Sequence, residues 1–197
     1  GLDVRYKTAL TSLTAFHAAV DPEEIPTYGI RNISKEEIAY CHAHGYVCKL
    51  IGSGEVTEKF VSIMVRPFFL KKEDLFASVP LNYNALSCES DTLGKEVFVG
   101  QGAGSLPTAH AVVQDLIDIA QQKKNSSFPL QKKSVSTTGK EGIYYIRTKK
   151  IALFNNELIG ERVGSDAFLT KKISFMDLRV AVESMNDETL FLAEVAE

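Results

Sequence analysis

Gly100-Gln101-Gly102-Ala103-Gly104-Ser105-Leu106-Pro107 follows an apolar run at 96–100 and opens a helix-patterned stretch from about 106 to 123. Strand, glycine loop, helix invites a dinucleotide-binding reading, because glycines let backbone approach a phosphate and helix amides favour anions. Three features oppose it. The fingerprint needs G-x-G-x-x-G, and Ser105 stands at its third glycine position. No acid follows about 20 residues on, where Gln121-Gln122-Lys123-Lys124 stands instead. The strand before the loop belongs to a hairpin: 84–89 and 96–100 bracket Ser90-Asp91-Thr92-Leu93-Gly94, a run with turn chemistry. An antiparallel strand is not part of a βαβ unit. The glycines therefore serve close packing against another backbone or against a ligand.

Working outward, the chain carries several more punctuated elements. Leu2, Tyr6, Ala9, Leu10, Leu13, Phe16 and Val20 form an apolar stripe that predicts a helix over 2–20. Ser34 and Glu37 form a capping box that opens a helix to about His44, with Gly45 as its stop. A buried strand is expected at 46–51, a turn at 52–58 and a hairpin partner at 59–65, closed by Pro67. Residues 121–140, rich in Lys, Ser, Thr, Gln and Asn, read as a linker. Beyond it come a strand around Ile143-Tyr144-Tyr145-Ile146 and further apolar segments at 173–182 and 190–195. The expected division is 1–125, a linker at 126–140, and a small segment at 141–197 that packs on the first part or on a second subunit.

Composition bounds the function. The 197 residues, 45% of them hydrophobic, suffice for one large domain or two small ones with a real core. A net charge of −3 argues against nucleic acid as a partner. No apolar run approaches a membrane span, and no signal-peptide pattern opens the chain. Three cysteines, Cys41, Cys48 and Cys88, suggest free thiols in a reducing, cytoplasmic compartment. Cys41-His42-Ala43-His44, with Cys48 following, lacks the paired spacings of a zinc site, so no metal is expected.

The opening run, Gly1-Leu2-Asp3-Val4-Arg5-Tyr6-Lys7, places an acid and a lysine four residues apart on one helix face. By spacing alone this is an ordinary ion pair, stabilising a helix by roughly 0.3–0.5 kcal/mol. Its expected place at the rim of the apolar stripe, partly buried, would give it a further reason to exist.

These pieces in order resemble the catalytic domain of the homoserine dehydrogenase family. The carrying residues are GLDVRYK (1–7), YGIRNISKEEI (28–38), KLIG (49–52), NYNAL (82–86) and GQGAGSLPTAHAVVQDL (100–116), so the resemblance covers about 1–120. It implies a fold between α+β and α/β, a mixed, largely antiparallel sheet covered by helices, with a small ACT-like segment at the C-terminus. Tyr144-Tyr145-Ile146-Arg147 resembles the opening strand of such a segment. The usual Asp-x-x-Gly turn is replaced by residues 149–155.

The family interconverts L-aspartate 4-semialdehyde and L-homoserine with NADP or NAD. The resemblance implies that Asp3 holds the substrate's amino group and Lys7 transfers the proton at the substrate oxygen. It implies that Gly102, with its neighbours Gly100 and Gly104, lies at the nicotinamide end of the cofactor. It also implies a homodimer, and a nucleotide-binding domain upstream, without which these residues are expected to be inactive. The competing expectation is a non-catalytic oligomerisation or amino-acid-sensing module.

Overall fold

In the computed structural model, which describes residues 1–58, 60–123, 131–136 and 141–196, helix α1 spans Leu2–Phe16. It stops short of the expected 20 because His17 takes a left-handed conformation and turns the chain into strand β1, Ala18–Ala19. The face turned inward also differs from the expected stripe. Ala9 and Ser12 are buried, while Leu2, Tyr6 and Leu10 are exposed. The reason lies in the strand beneath. Strand β2, Tyr46–Val56, carries Gly52 and Gly54 under the helix. A Cβ at Gly52 would overlap the Thr8 hydroxyl, and one at Gly54 would lie 3.1 Å from the Phe16 ring. Small residues on both elements allow a close approach that larger apolar side chains would prevent.

Those two glycines were expected to lie in a turn at 52–58; they lie instead within a strand. Helix α2, Lys35–Ala43, precedes it and keeps its capping box. Strand β3, Phe60–Lys71, pairs antiparallel with β2 from Tyr46↔Lys71 to Val56↔Val61. Pro67 does not close β3. The Val65 amide donates to Pro26 O and the Phe69 carbonyl accepts from Ala196 N, so odd residues point away from β2. Pro67 sits between these partners, where its missing N–H breaks no bond to β2.

The hairpin is strand β4, Tyr83–Ser90, and strand β5, Gly94–Gln101, with Gly94 at φ 69°. Helix α3 spans Ser105–Ala120. Part of the expected linker is structured: β6, Gln131–Lys132, pairs with β1, and β7, Ser134–Ser136, pairs parallel with β3. Its remainder at 124–130 and 137–140 lies outside the described residues.

The C-terminal segment comprises β8 (Glu141–Arg147), β9 (Ile159–Val163), β10 (Ala167–Thr170), β11 (Ile173–Ser174), α4 (Phe175–Met185) and β12 (Phe191–Val195). The main sheet runs β2-β3-β12-β8-β10-β9. It is mixed and largely antiparallel, with β12 parallel to β3, which accords with the expected fold class. Its β12-β8-β10-β9 part has the strand order of a split βαβ arrangement. Two short 3₁₀ turns at Ile151–Leu153 and Asn156–Leu158 stand where a first helix would lie.

Both faces of this sheet are covered, so β8 is apolar on both sides. Tyr144 and Ile146 join Phe168, Leu178, Val182 and Leu192 beneath α4. Tyr145 joins Phe69, Phe191 and Cys41 on the opposite side. A third cluster, with Ala9, Ile25 and Ile63, lies under α1. By contacts the chain divides into residues 1–72 with 129–197, and residues 73–128. These boundaries differ from 1–125, 126–140 and 141–197. Pairing of β12 and β7 with β3 makes the C-terminal segment continuous with the first 72 residues.

Candidate active site

Gly1 caps α1, its carbonyl accepting from the Arg5 amide at 2.9 Å. It stands against the loop that precedes α2. A Cβ on Gly1 would come 2.8 Å from the Thr27 methyl, and one on Gly29 would come 2.9 Å from Gly1 N. Glycine at both positions is thus what seats the helix start. In the first two turns, Lys7 Nζ lies 3.0 Å from Asp3 Oδ2. Side-chain exposure is 79% for Asp3 and 55% for Lys7, so the pair is open to solvent and not half-buried at an apolar rim. The correction follows from the helix rotation: the inward face is Thr8, Ala9 and Ser12. An exposed pair of this kind adds only a few tenths of a kcal/mol to stability. Both groups remain accessible to a ligand.

The glycine loop is held from below by the start of the hairpin. Gly102 N donates to Asn82 O at 3.0 Å, and Asn82 Nδ2 donates to Ala103 O at 2.7 Å. A Cβ at Gly102 would overlap the amide at the end of the exposed Asn84 side chain, which packs against that glycine. Gly104 has φ 121°, a conformation that L side chains rarely adopt, and its carbonyl accepts from the Thr108 hydroxyl at 2.8 Å. Gly100 differs: no atom lies within 4 Å of where its Cβ would stand. Asn82 and Asn84 are the residues that sequence reasoning missed. NYN at 82–84 is visible as a motif, but only the structure shows Asn82 bonded to the loop and the Asn84 amide packed against Gly102.

Gly100, Gly102 and Gly104 are thus brought together in one loop, and Asp3 and Lys7 in one ion pair. The two groups lie on different compact units, 73–128 and 1–72 with 129–197. Cys41 is buried in the cluster with Phe69 and Tyr145, and Cys48 packs against it. Burial pushes the Cys41 thiol up to about 12 and the Cys48 thiol up to about 11. His44 stacks on Tyr40 with ring centroids 4.1 Å apart, and its Nδ1 lies 2.8 Å from Tyr40 O. Among the described residues no group of three or more metal-ligating side chains converges. No helix among them is long and apolar enough to cross a membrane.

The larger unit is an α+β fold with an acid–lysine pair on its first helix, and the smaller unit carries a glycine loop at the entry to α3. The chain belongs to the homoserine dehydrogenase family, whose model matches residues 1–117. It is 37% identical over 127 residues to the homoserine dehydrogenase of Lactococcus lactis subsp. lactis (strain IL1403), covering 64% of this chain and 30% of that protein. It is 38% identical over 124 residues to that of Synechocystis sp. (strain ATCC 27184 / PCC 6803 / Kazusa), covering 60% and 28%. Among solved structures, a homoserine dehydrogenase from Thiobacillus denitrificans superposes with a TM-score of 0.75 at 22% identity. That match covers all of this chain and 53% of the other. The S. aureus enzyme at pH 7.0 gives 0.68 at 23% identity, covering all of this chain and 54% of that one. The chain therefore spans about half the length of these structures, and the curated relatives' matched segment is under a third of their length.

Proposed function

We propose that this chain is the substrate-binding part of a homoserine dehydrogenase, serving the interconversion of L-aspartate 4-semialdehyde and L-homoserine in amino-acid biosynthesis. The observation that carries the reading is the accessible Asp3–Lys7 pair, 3.0 Å apart, at the start of the family-matched segment. Reduction of an aldehyde builds negative charge on its oxygen. An ammonium beside that oxygen stabilises the charge and supplies the proton. Lys7 has this role, and Asp3 holds the substrate ammonium. Because Asp3 pairs with Lys7 in the free protein, the substrate ammonium competes for the same carboxylate and releases Lys7 to transfer its proton.

A bound nucleotide, NADP or NAD, would supply the hydride. The residues present fit it in part. The open flank of Gly100 leaves room beside the loop backbone, whereas the space at Gly102 is taken by Asn84. Gly102 and Gly104 then shape the loop, and Gly100 is the position nearest to free approach. The reading includes a homodimer in the cytoplasm, with the nucleotide held mainly by a domain beyond these 197 residues.

In the protein joined to its nucleotide-binding domain, Lys7→Ala and Asp3→Ala should each lower turnover by about 10²–10⁴ while nucleotide binding stays intact. Full activity in either variant would remove that residue from the mechanism. The 197-residue chain alone should turn over no homoserine. A second reading, amino-acid sensing, is favoured by the split βαβ order of the C-terminal strands. Calorimetric titration separates the two: threonine binding to this chain without the nucleotide-binding domain supports a sensor.

A further inference from the structure

Residues 26–34 form a strap between the start of α1 and the C-terminal segment. Its first part is clamped to β3, with Val65 N donating to Pro26 O at 2.9 Å and Tyr28 N to Val65 O at 2.8 Å. The Tyr28 ring meets Phe175, the first residue of α4, edge-on at 5.9 Å. Its far end is gripped by the turn before β12. Asn32 Nδ2 donates to Glu188 O at 2.7 Å and to Leu190 O at 2.9 Å. The Asn32 carbonyl accepts from Arg147 Nη2 at 2.6 Å. Arg147 is itself fixed, its Nε 2.7 Å from the fully buried Glu37 carboxylate. That carboxylate also accepts from the Ser34 amide at 2.7 Å. Midway along the strap, Gly29 bears on Gly1 with no room for a methyl group.

We propose that Asn32 is a positioning residue for the Asp3–Lys7 site: through the strap, the C-terminal segment sets where α1 begins. The contacts from the C-terminal segment to α1 are contiguous. Both of Asn32's amide hydrogens are committed to carbonyls of the C-terminal segment. Three residues earlier in the chain, the strap touches the residue that caps α1. Asp3 and Lys7 lie in the first two turns, so a shift at Gly1 moves both carboxylate and ammonium. Because the Gly1–Gly29 contact is backbone on backbone, no flexible side chain absorbs such a shift.

The positional claim stands apart from the activity, and its functional consequence rests on the dehydrogenase reading. Two variants of the 197-residue chain separate the strap from general loosening. Asn32→Ala removes the two side-chain bonds to Glu188 O and Leu190 O and keeps the Arg147 bond to the main-chain carbonyl. Val182→Ala opens a cavity in the core against which Tyr28 packs, and leaves the Asn32 bonds in place. Native-state hydrogen exchange should show the α1 first-turn amides, Arg5 first, exchanging about tenfold faster in Asn32→Ala than in Val182→Ala at matched global stability. Equal rates in the two variants would overturn the proposal. In the protein with its nucleotide-binding domain, Asn32→Ala should raise KM for homoserine several-fold and leave KM for the nucleotide unchanged; an equal rise in both overturns the positioning role. If the unsubstituted protein turned over no homoserine, the dehydrogenase reading would fall, and the exchange comparison would still decide the strap.

Discussion

Residues 1–72 with 129–197 and residues 73–128 are both rich in apolar side chains, yet among the described residues the large buried clusters lie in the first unit. Three buried clusters fill it, and β8 alone contributes Tyr144, Tyr145 and Ile146. In the second unit, α3 has no buried residue, and Leu106, Val112, Val113, Leu116 and Ile119 are all exposed. Phe98 and Val99 of the hairpin are exposed too. Apolar content and helical spacing are therefore not what makes a core; a second layer to pack against is. A hairpin of two strands and one helix has little to bury, and isolated hairpins are marginal in water.

The sharpest way to break this contrast is a matched pair of truncations. Phe168→Ala, at a fully buried ring packed 4.7 Å from Phe154, should lower stability by about 3–5 kcal/mol in denaturant unfolding. Leu116→Ala on α3 should change it by less than about 0.5 kcal/mol in the same chain. A comparable cost at both sites would mean that α3 has a covered face after all.

The glycine loop offers a smaller test inside the second unit. Gly104→Ala forces a side chain onto a backbone at φ 121° and ψ 161°, which costs about 1–3 kcal/mol. Gly100→Ala meets open space and should leave stability unchanged. Thermal melts of the two variants check the difference. Loss of nucleotide affinity in Gly100→Ala, with its melt unmoved, would mark that flank as the ligand's side.

The smallest effect separates the units by thiol chemistry. Burial pushes Cys41 up to about 12 and Cys48 up to about 11 from an ordinary 9.0. Both stay protonated in the folded chain at pH 8, so alkylation should label Cys88 on the hairpin first. The linkage has a definite sign. A raised folded-state pKa favours the neutral thiol in the native state, so this stabilisation is full below pH 9 and is lost as pH rises through about 11 to 12. Unfolding midpoints should fall across that alkaline window and shift less when Cys41 and Cys48 are both replaced by Ala. An unchanged slope in the double variant would assign the alkaline loss to other groups.

Local signals were legible wherever a few adjacent residues suffice. Ser34 and Glu37 specify their capping box by direct hydrogen bonds between neighbours, and the Ser90–Gly94 run marks its hairpin turn. What was misread depended on distant partners. Gly52 and Gly54 look like turn residues until α1 is laid over them, and Pro67 looks like a strand end until its gap between partners is seen. The inward face of α1 differs for the same cause: Gly52 and Gly54 seat Thr8 and the Phe16 ring, which turns Ala9 and Ser12 inward and leaves Leu2, Tyr6 and Leu10 exposed.

The sequence by itself determined the family-bearing motifs, the order of helices and hairpins, and the four-residue spacing that sets Asp3 beside Lys7. These are consequences of chain geometry over a few residues, where helix and turn periods act directly. Only the tertiary structure decided that the acid–lysine pair is open to solvent, that Asn82 bonds to the glycine loop and Asn84 packs against it, and that the C-terminal segment grips the 26–34 strap. Each depends on contacts between residues far apart in the chain, such as Asn32 with Leu190 or Gly1 with Gly29. No local pattern encodes such contacts, because close packing is satisfied jointly by all the elements that meet at one place.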